Sequence, residues 1–275
     1  MSKSKKKKKK TTNRPKGWLI APKQIDAWIL KASDQIRHKD YDGAIRTCKK
    51  TLIYLPKGDK VRAEVLGLMG TSYAMQKNFE ESYQIFLEAV AIDKKDAYLW
   101  FNHSLSCRYT SRSGESLRSM EKAVLLEGDG DMAKEFTKEL AFARKIAESE
   151  LATRSEGFTL DELIEQQGYF QEGMRFSEQG NWAKAEERFR KTIDMNDCLP
   201  QPWSNLGIAL QMQDRFDAAE DAYKRALEID PKYKNAKKQL KNLKKQRAHP
   251  DTKPGYKIIS PFDKMKIPSL TIKEE

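Results

Sequence analysis

Cysteine and histidine are scarce in this chain of 275 residues: Cys48, Cys107 and Cys198 are odd in number and far apart, as are His38, His103 and His249. A disulfide framework wants an even, clustered complement, and a zinc site wants cysteines or histidines at short spacing. These six residues are therefore expected to be structural, the cysteines reduced and largely buried, and neither a metal nor a cofactor is expected. Long hydrophobic runs are missing as well, since none approaches the roughly 18 residues of a membrane span. The basic N-terminus is not followed by the apolar stretch of a secretory signal, so a cytoplasmic protein is expected, or a nuclear one in a eukaryote. No glycine-rich phosphate loop and no G-x-S-x-G nucleophile elbow occurs. Paired acids such as Glu80-Glu81 and Glu186-Glu187 fall at exposed helix positions, where solvation explains them better than acid–base chemistry. A non-enzymatic protein is expected.

Acidic residues are absent from one place in particular. Residues 1–16 contain Lys3, Lys5 to Lys10, Arg14 and Lys16 with no Asp or Glu. Of the net charge of +12, +9 lies in residues 1–16 and +9 in residues 232–275, which leaves −6 on residues 17–231. The first sixteen residues also lack apolar side chains to bury, apart from the initiator Met, so they are expected to form a solvated, disordered arm. Lys5, Lys6, Lys7, Lys8, Lys9 and Lys10 are the candidate anion-binding residues, able to attract nucleic acid, ribosomes, anionic membrane surfaces or acidic proteins without reading sequence. The same composition also suits a solubilising tail.

What the chain does contain is a repeated line of residues. Trp203-x-x-Leu206-Gly207-x-x-Leu210 is followed by Ala219-x-x-x-Tyr223-x-x-Ala226 and Pro231. One period of about 34 residues earlier, Tyr169, Gly173, Phe176, Trp182, Ala185 and Phe189 hold matching positions. Gly70, Tyr73, Phe79, Phe86, Ala89 and Ile92 fit the same frame, as do Trp100, Cys107, Met120, Ala123 and Leu126, and more weakly Trp28, Tyr41, Ala44 and Pro56. Five units follow, at residues 25–58, 63–96, 97–130, 166–199 and 200–233. The third is irregular, with His103-Ser104 where Leu-Gly is usual and Ser111-Arg112-Ser113-Gly114 where an aromatic should open the second helix; loose packing of that helix is expected.

Between the third and fourth units, Met132, Phe136, Leu140, Ile146 and Leu151 keep a broadly helical spacing, which predicts a capping helix over 131–152. Thr153 to Gly157 is a polar break, and Thr159-x-x-Glu162 reads as a capping box opening the next helix. Ala236, Leu240 and Leu243 predict an amphipathic helix over 233–247 that covers the last repeat and turns its lysines to water. The expected organisation is a polylysine arm (1–16), an N-terminal sub-array with its capping helix (17–152), a C-terminal sub-array with a basic capping helix (158–248), and a proline-bearing extended tail (249–275). Trp18-Leu19-Ile20 is expected to pack against the open end of the first helix.

This pattern resembles the tetratricopeptide repeat family over roughly three quarters of the chain. The resemblance implies an all-α fold, a right-handed α-solenoid of helical hairpins with a concave groove for a peptide or partner helix. In that family the first helix of each hairpin lines the groove, which carries over to Tyr98, Phe101, Asn102, Leu105 and Tyr109 in the third unit, Phe170, Gln171 and Met174 in the fourth, and Asn205, Ile208 and Met212 in the fifth. Several of these residue types also serve as inter-repeat core. The carboxylate clamp by which some members grip chaperone C-termini is disfavoured, because its positions hold Ile29, Ser33, Leu68, Tyr98 and Asn102, and from the fourth unit onward only Asn205 agrees. The expected function is a protein-interaction adaptor with a basic arm for anionic partners. The alternative is a nucleic-acid- or ribosome-associated protein bound mainly through its basic ends.

Overall fold

A computed structural model describes residues 20–248. The polylysine arm and the tail after residue 248 lie outside the described residues, as do Trp18 and Leu19. Twelve helices and no strand are present among the described residues. In order they are α1 (Pro22–Arg37), α2 (Tyr41–Leu52), α3 (Lys60–Met75), α4 (Phe79–Ile92), α5 (Ala97–Tyr109), α6 (Ser113–Glu127), α7 (Ala133–Leu151), α8 (Leu160–Glu178), α9 (Trp182–Met195), α10 (Pro200–Gln211), α11 (Phe216–Ile229) and α12 (Lys234–Ala248). The fold is an all-α helical repeat. No helix among the described residues is long and apolar enough to cross a membrane.

The chain divides into two compact units, one of residues 1–106 with 125–127, the other of 107–124 with 128–275. In the first unit α1 pairs with α2 and α3 with α4. Their apolar faces meet in one core that includes Ile25, Ile45, Leu66, Met69, Phe86 and Leu99, with Ile20 packed against it. Cys48 belongs to this core, and burial pushes its thiol up to about 12. Such a group stays a thiol at neutral pH and behaves as a small apolar residue. In the second unit α8 pairs with α9, α10 with α11, and α12 covers α11. Phe170, Phe189, Leu206, Leu210, Tyr223 and Leu243 fill that core.

One contact recurs and explains why the repeat needs both a glycine and an aromatic. A Cβ placed on Gly70 would lie 2.8 Å from the Phe86 ring, one on Gly173 2.6 Å from Phe189, and one on Gly207 2.5 Å from Tyr223. In these three hairpins the ring of the second helix presses into the gap left by the missing side chain of the first. The earliest hairpin keeps the same positions with Ala32 and Cys48, both in the core. A larger residue at the first position is matched by a smaller one at the second, which conserves the volume between the helices.

The turns within the hairpins are equally regular. Lys39, Lys77, Ser111, Gly180 and Asp214 each sit two or three residues beyond a first helix, with φ of 61°, 64°, 63°, 70° and 58°. Left-handed backbone ends the helix there. Only one of the five is glycine, and a Cβ at Gly180 would meet nothing within 4 Å. Gly180→Ala therefore isolates backbone strain from packing, and it should lower stability by about 1 kcal/mol in a chemical denaturation experiment.

The two helices expected outside the repeats are present as α7 and α12. The capping box is also present: Thr159 Oγ1 accepts from the Glu162 N–H at 3.2 Å, and the Thr159 N–H donates to Glu162 Oε2 at 2.7 Å. These bonds hold the Glu162 carboxyl below the usual carboxylate range. The expectation of a loosely packed α6 is not met, since Ser113, Gly114, Ser116, Leu117, Ser119, Met120 and Ala123 are buried. Small residues permit close approach here: a Cβ on Gly114 would lie 2.8 Å from Ile164 Cγ1 of α8.

Candidate functional site

In the second unit the first helices of the hairpins, α8 and α10, and then α12, carry amides in register. Gln167, Gln201 and Asn235 stand thirty-four residues apart, and so do Gln171, Asn205 and Gln239. The repeat frame thus continues into α12, which caps the core with its apolar stripe yet keeps the amide positions of a repeat. Four residues separate the two rows along each helix, which places them on one helical face.

The amides are largely buried and unevenly satisfied. Gln167 is fully used, donating from Nε2 to Ser113 Oγ at 2.9 Å and to Glu150 Oε2 at 2.7 Å, and accepting from the Gly114 N–H at 3.1 Å. Asn235 Nδ2 donates to Ser204 Oγ at 3.1 Å. Asn205, only 1% exposed, donates from Nδ2 to the thioether of Met174 at 3.3 Å, and its Oδ1 has no partner. Gln201 Oε1 and Gln239 Nε2 are likewise unpartnered. Buried amides are normally paired, so three orphaned amide atoms on one face call for an explanation.

The residues predicted for the groove have different fates. Tyr98, Phe101, Asn102 and Leu105 belong to the first unit, where Phe101 and Leu105 are buried and Tyr98 and Asn102 half-buried. The Asn102 amide donates back to Tyr98 O of its own helix at 3.0 Å. In the second unit Tyr109 is half-buried beside the Arg108 guanidinium, and burial raises its hydroxyl above the ordinary value. Phe170 packs its ring 5.8 Å from that of Phe189 and, like Ile208, is part of the core. Gln171, Met174 and Met212 are half-buried, Met174 and Met212 lying against that core. Asn205 is more deeply buried than a groove residue was expected to be. The six predicted lysines, Lys5 to Lys10, lie outside the described residues. Gln167, Gln201, Asn235 and Gln239 were not picked out from the sequence; stepping the repeat period forward into α12 would have found the last two.

The chain carries tetratricopeptide repeats: the model of the tetratricopeptide repeat matches residues 200–233, and two further hairpins, α3–α4 and α8–α9, keep its glycine–aromatic contact. Among curated relatives, human protein O-mannosyl-transferase TMTC1 is 24% identical over 187 residues, 66% of this chain and 21% of that protein. The chain thus spans about a fifth of the length of that relative. Uncharacterized protein MJ0572 of Methanocaldococcus jannaschii is 30% identical over 72 residues, 26% of this chain and 84% of that protein. Among solved structures, the Sgt2 TPR domain from Aspergillus fumigatus is similar with a TM-score of 0.43 and 20% identity, covering 50% of this chain and 87% of that one.

Proposed function

We propose that this protein is a non-enzymatic interaction adaptor whose second unit binds an extended segment of a protein partner along α8, α10 and α12. The observation that carries the reading is Asn205: a buried amide with a free carbonyl oxygen and only a thioether for its N–H. Sulfur is a weak acceptor, and a methionine side chain moves aside at small cost. A peptide backbone offers the N–H and C=O that such an amide wants, and rows of amides spaced along the face suit a strand-like ligand. The basic arm, Lys5 to Lys10, would add affinity for anionic partners.

The test begins with a pull-down that identifies a binding segment, followed by titration against variants. Asn205→Ala should weaken binding about tenfold or more. It should leave the thermal midpoint unchanged or slightly raised, because the amide it removes is poorly satisfied in the free protein. Undiminished affinity with intact helicity would move the binding surface elsewhere.

A second reading is favoured by one feature of α12. Lys234, Lys237, Lys238, Lys241, Lys244 and Lys245 are all exposed, a rigid basic surface suited to nucleic acid or ribosomal RNA. Electrostatic binding of this kind weakens steeply with salt. Neutralising Lys5 to Lys10 should lower the salt slope of duplex DNA binding by up to about five. A slope that responds only to neutralising the α12 lysines would assign the contact to that helix.

A further inference from the structure

A cavity of about 220 Å³ lies within the second unit, between the C-terminal end of α7, the second and third turns of α8 and the first turn of α10. Its walls include Glu150, Arg154, Gln167, Phe170, Leu199 and Gln201. Gln167 and Gln201 also begin the first amide row, so the cavity is continuous with the face proposed to bind a peptide. We infer that this cavity receives a cationic side chain, lysine or arginine, of the bound segment. The inference rests on the peptide-binding reading of that face and specifies which residue the segment must carry.

The polar groups of the wall decide the sign of the ligand. Gln167 is fully used, as described. Gln166 donates from Nε2 to the carbonyls of Thr192 and Asn196, both at 3.0 Å, and accepts from Arg154 Nε at 2.9 Å. Arg154 Nη1 donates to Glu150 O at 3.1 Å and Thr153 Oγ1 at 2.6 Å. The guanidinium is thus tied to an amide, a hydroxyl and a backbone carbonyl. Among the fully buried side-chain atoms of the wall, the two without a partner are both acceptors, Glu150 Oε1 and Gln201 Oε1. Both side chains are half-buried, and rotation about the terminal torsion, which is soft, can bring these oxygens to the cavity.

An excess of acceptors calls for a donor, and a carboxylate among them calls for a charged one. Burial raises the Glu150 carboxyl above its ordinary range, although Arg154 and hydrogen bonds to Ser113 and Gln167 oppose the shift, and a cation in the cavity would favour its ionised form further. Phe170, Leu199 and Pro202 supply an apolar wall for the methylene stem of a long basic side chain. A carboxylate ligand would meet the Glu150 charge and an arginine whose bonds are largely committed. A neutral apolar group would leave both orphaned oxygens unpaired.

The test uses the full chain and side-chain mimics as probes: n-butylguanidinium, n-butylammonium, pentanoate and 1-pentanol, followed by ligand-observed NMR at constant ionic strength. The two cations should bind and the other two should not. Glu150→Gln should weaken cation binding by about tenfold or more, and Gln201→Ala should weaken it in the same direction. Gln201→Ala stands alone if the first variant fails to fold by circular dichroism. Preferential binding of pentanoate or pentanol, or cation binding that neither variant changes, overturns the inference. A second arm takes peptides selected against the full chain and replaces each basic residue in turn with norleucine. One such replacement should cost about tenfold in the native protein and little in Glu150→Gln. Peptides that depend on Asn205 but need no basic residue overturn the cationic pocket and leave the groove reading standing. Peptides indifferent to Asn205→Ala overturn the groove reading itself.

Discussion

Tyr223→Ala is expected to destabilise the second unit by about 3–5 kcal/mol, the range for removing a large aromatic from a core. Tyr223 is 0% exposed, fills the gap at Gly207, and donates its hydroxyl to Gln211 Oε1 at 2.8 Å. Burial raises that hydroxyl above its ordinary value, so it stays protonated and able to donate. The reciprocal change, Gly207→Ala, should cost about 1–3 kcal/mol, because its methyl would meet the buried ring and α10 would have to shift. Introduced together, the two should be less harmful than their sum, since the new methyl occupies part of the space the ring vacates. Urea denaturation of the four proteins reads the coupling. Strict additivity would mean that the glycine and the aromatic do not share one packing site.

Glu139→Ala should cost about 3–5 kcal/mol. Glu139 Oε2 accepts from Arg108 Nη1 at 2.7 Å, with the two side chains 20% and 6% exposed. The Arg108 guanidinium also lies 4.9 Å from the centre of the Phe142 ring and is closed in on that side. Removing the carboxylate leaves a buried cation without its counter-ion, whereas replacing both partners with apolar residues of similar size removes the desolvation cost together with the attraction. The pair Arg108→Met with Glu139→Leu should therefore recover most of the loss. Thermal unfolding of the single and double variants checks this, and a Glu139→Ala protein as stable as the parent would show the bridge to be solvent-screened.

The sequence alone determined the architecture, because the repeat is written in residues whose packing roles are local. Gly173 and Phe189, or Gly207 and Tyr223, lie within one hairpin, so their spacing is set by the chain and can be read from it. The same holds for the Thr159–Glu162 capping box and for the apolar stripe of α12, each a matter of helical periodicity. The buried α6 was less legible. Ser113 and Gly114 look like defects in the motif until α8 is brought against them, where their small size permits close contact. The amide rows sat in between, since their period was present in the sequence but Gln and Asn at exposed and buried helix positions look alike. Only the tertiary structure decided that Asn205 lies buried with a free carbonyl oxygen, that Phe170 belongs to the core, and that Glu150, Arg154 and Gln201 surround one cavity. Those facts depend on which atoms of helices distant along the chain meet, on hydrogen bonds that one side chain makes and another is denied, and no spacing in the sequence records them.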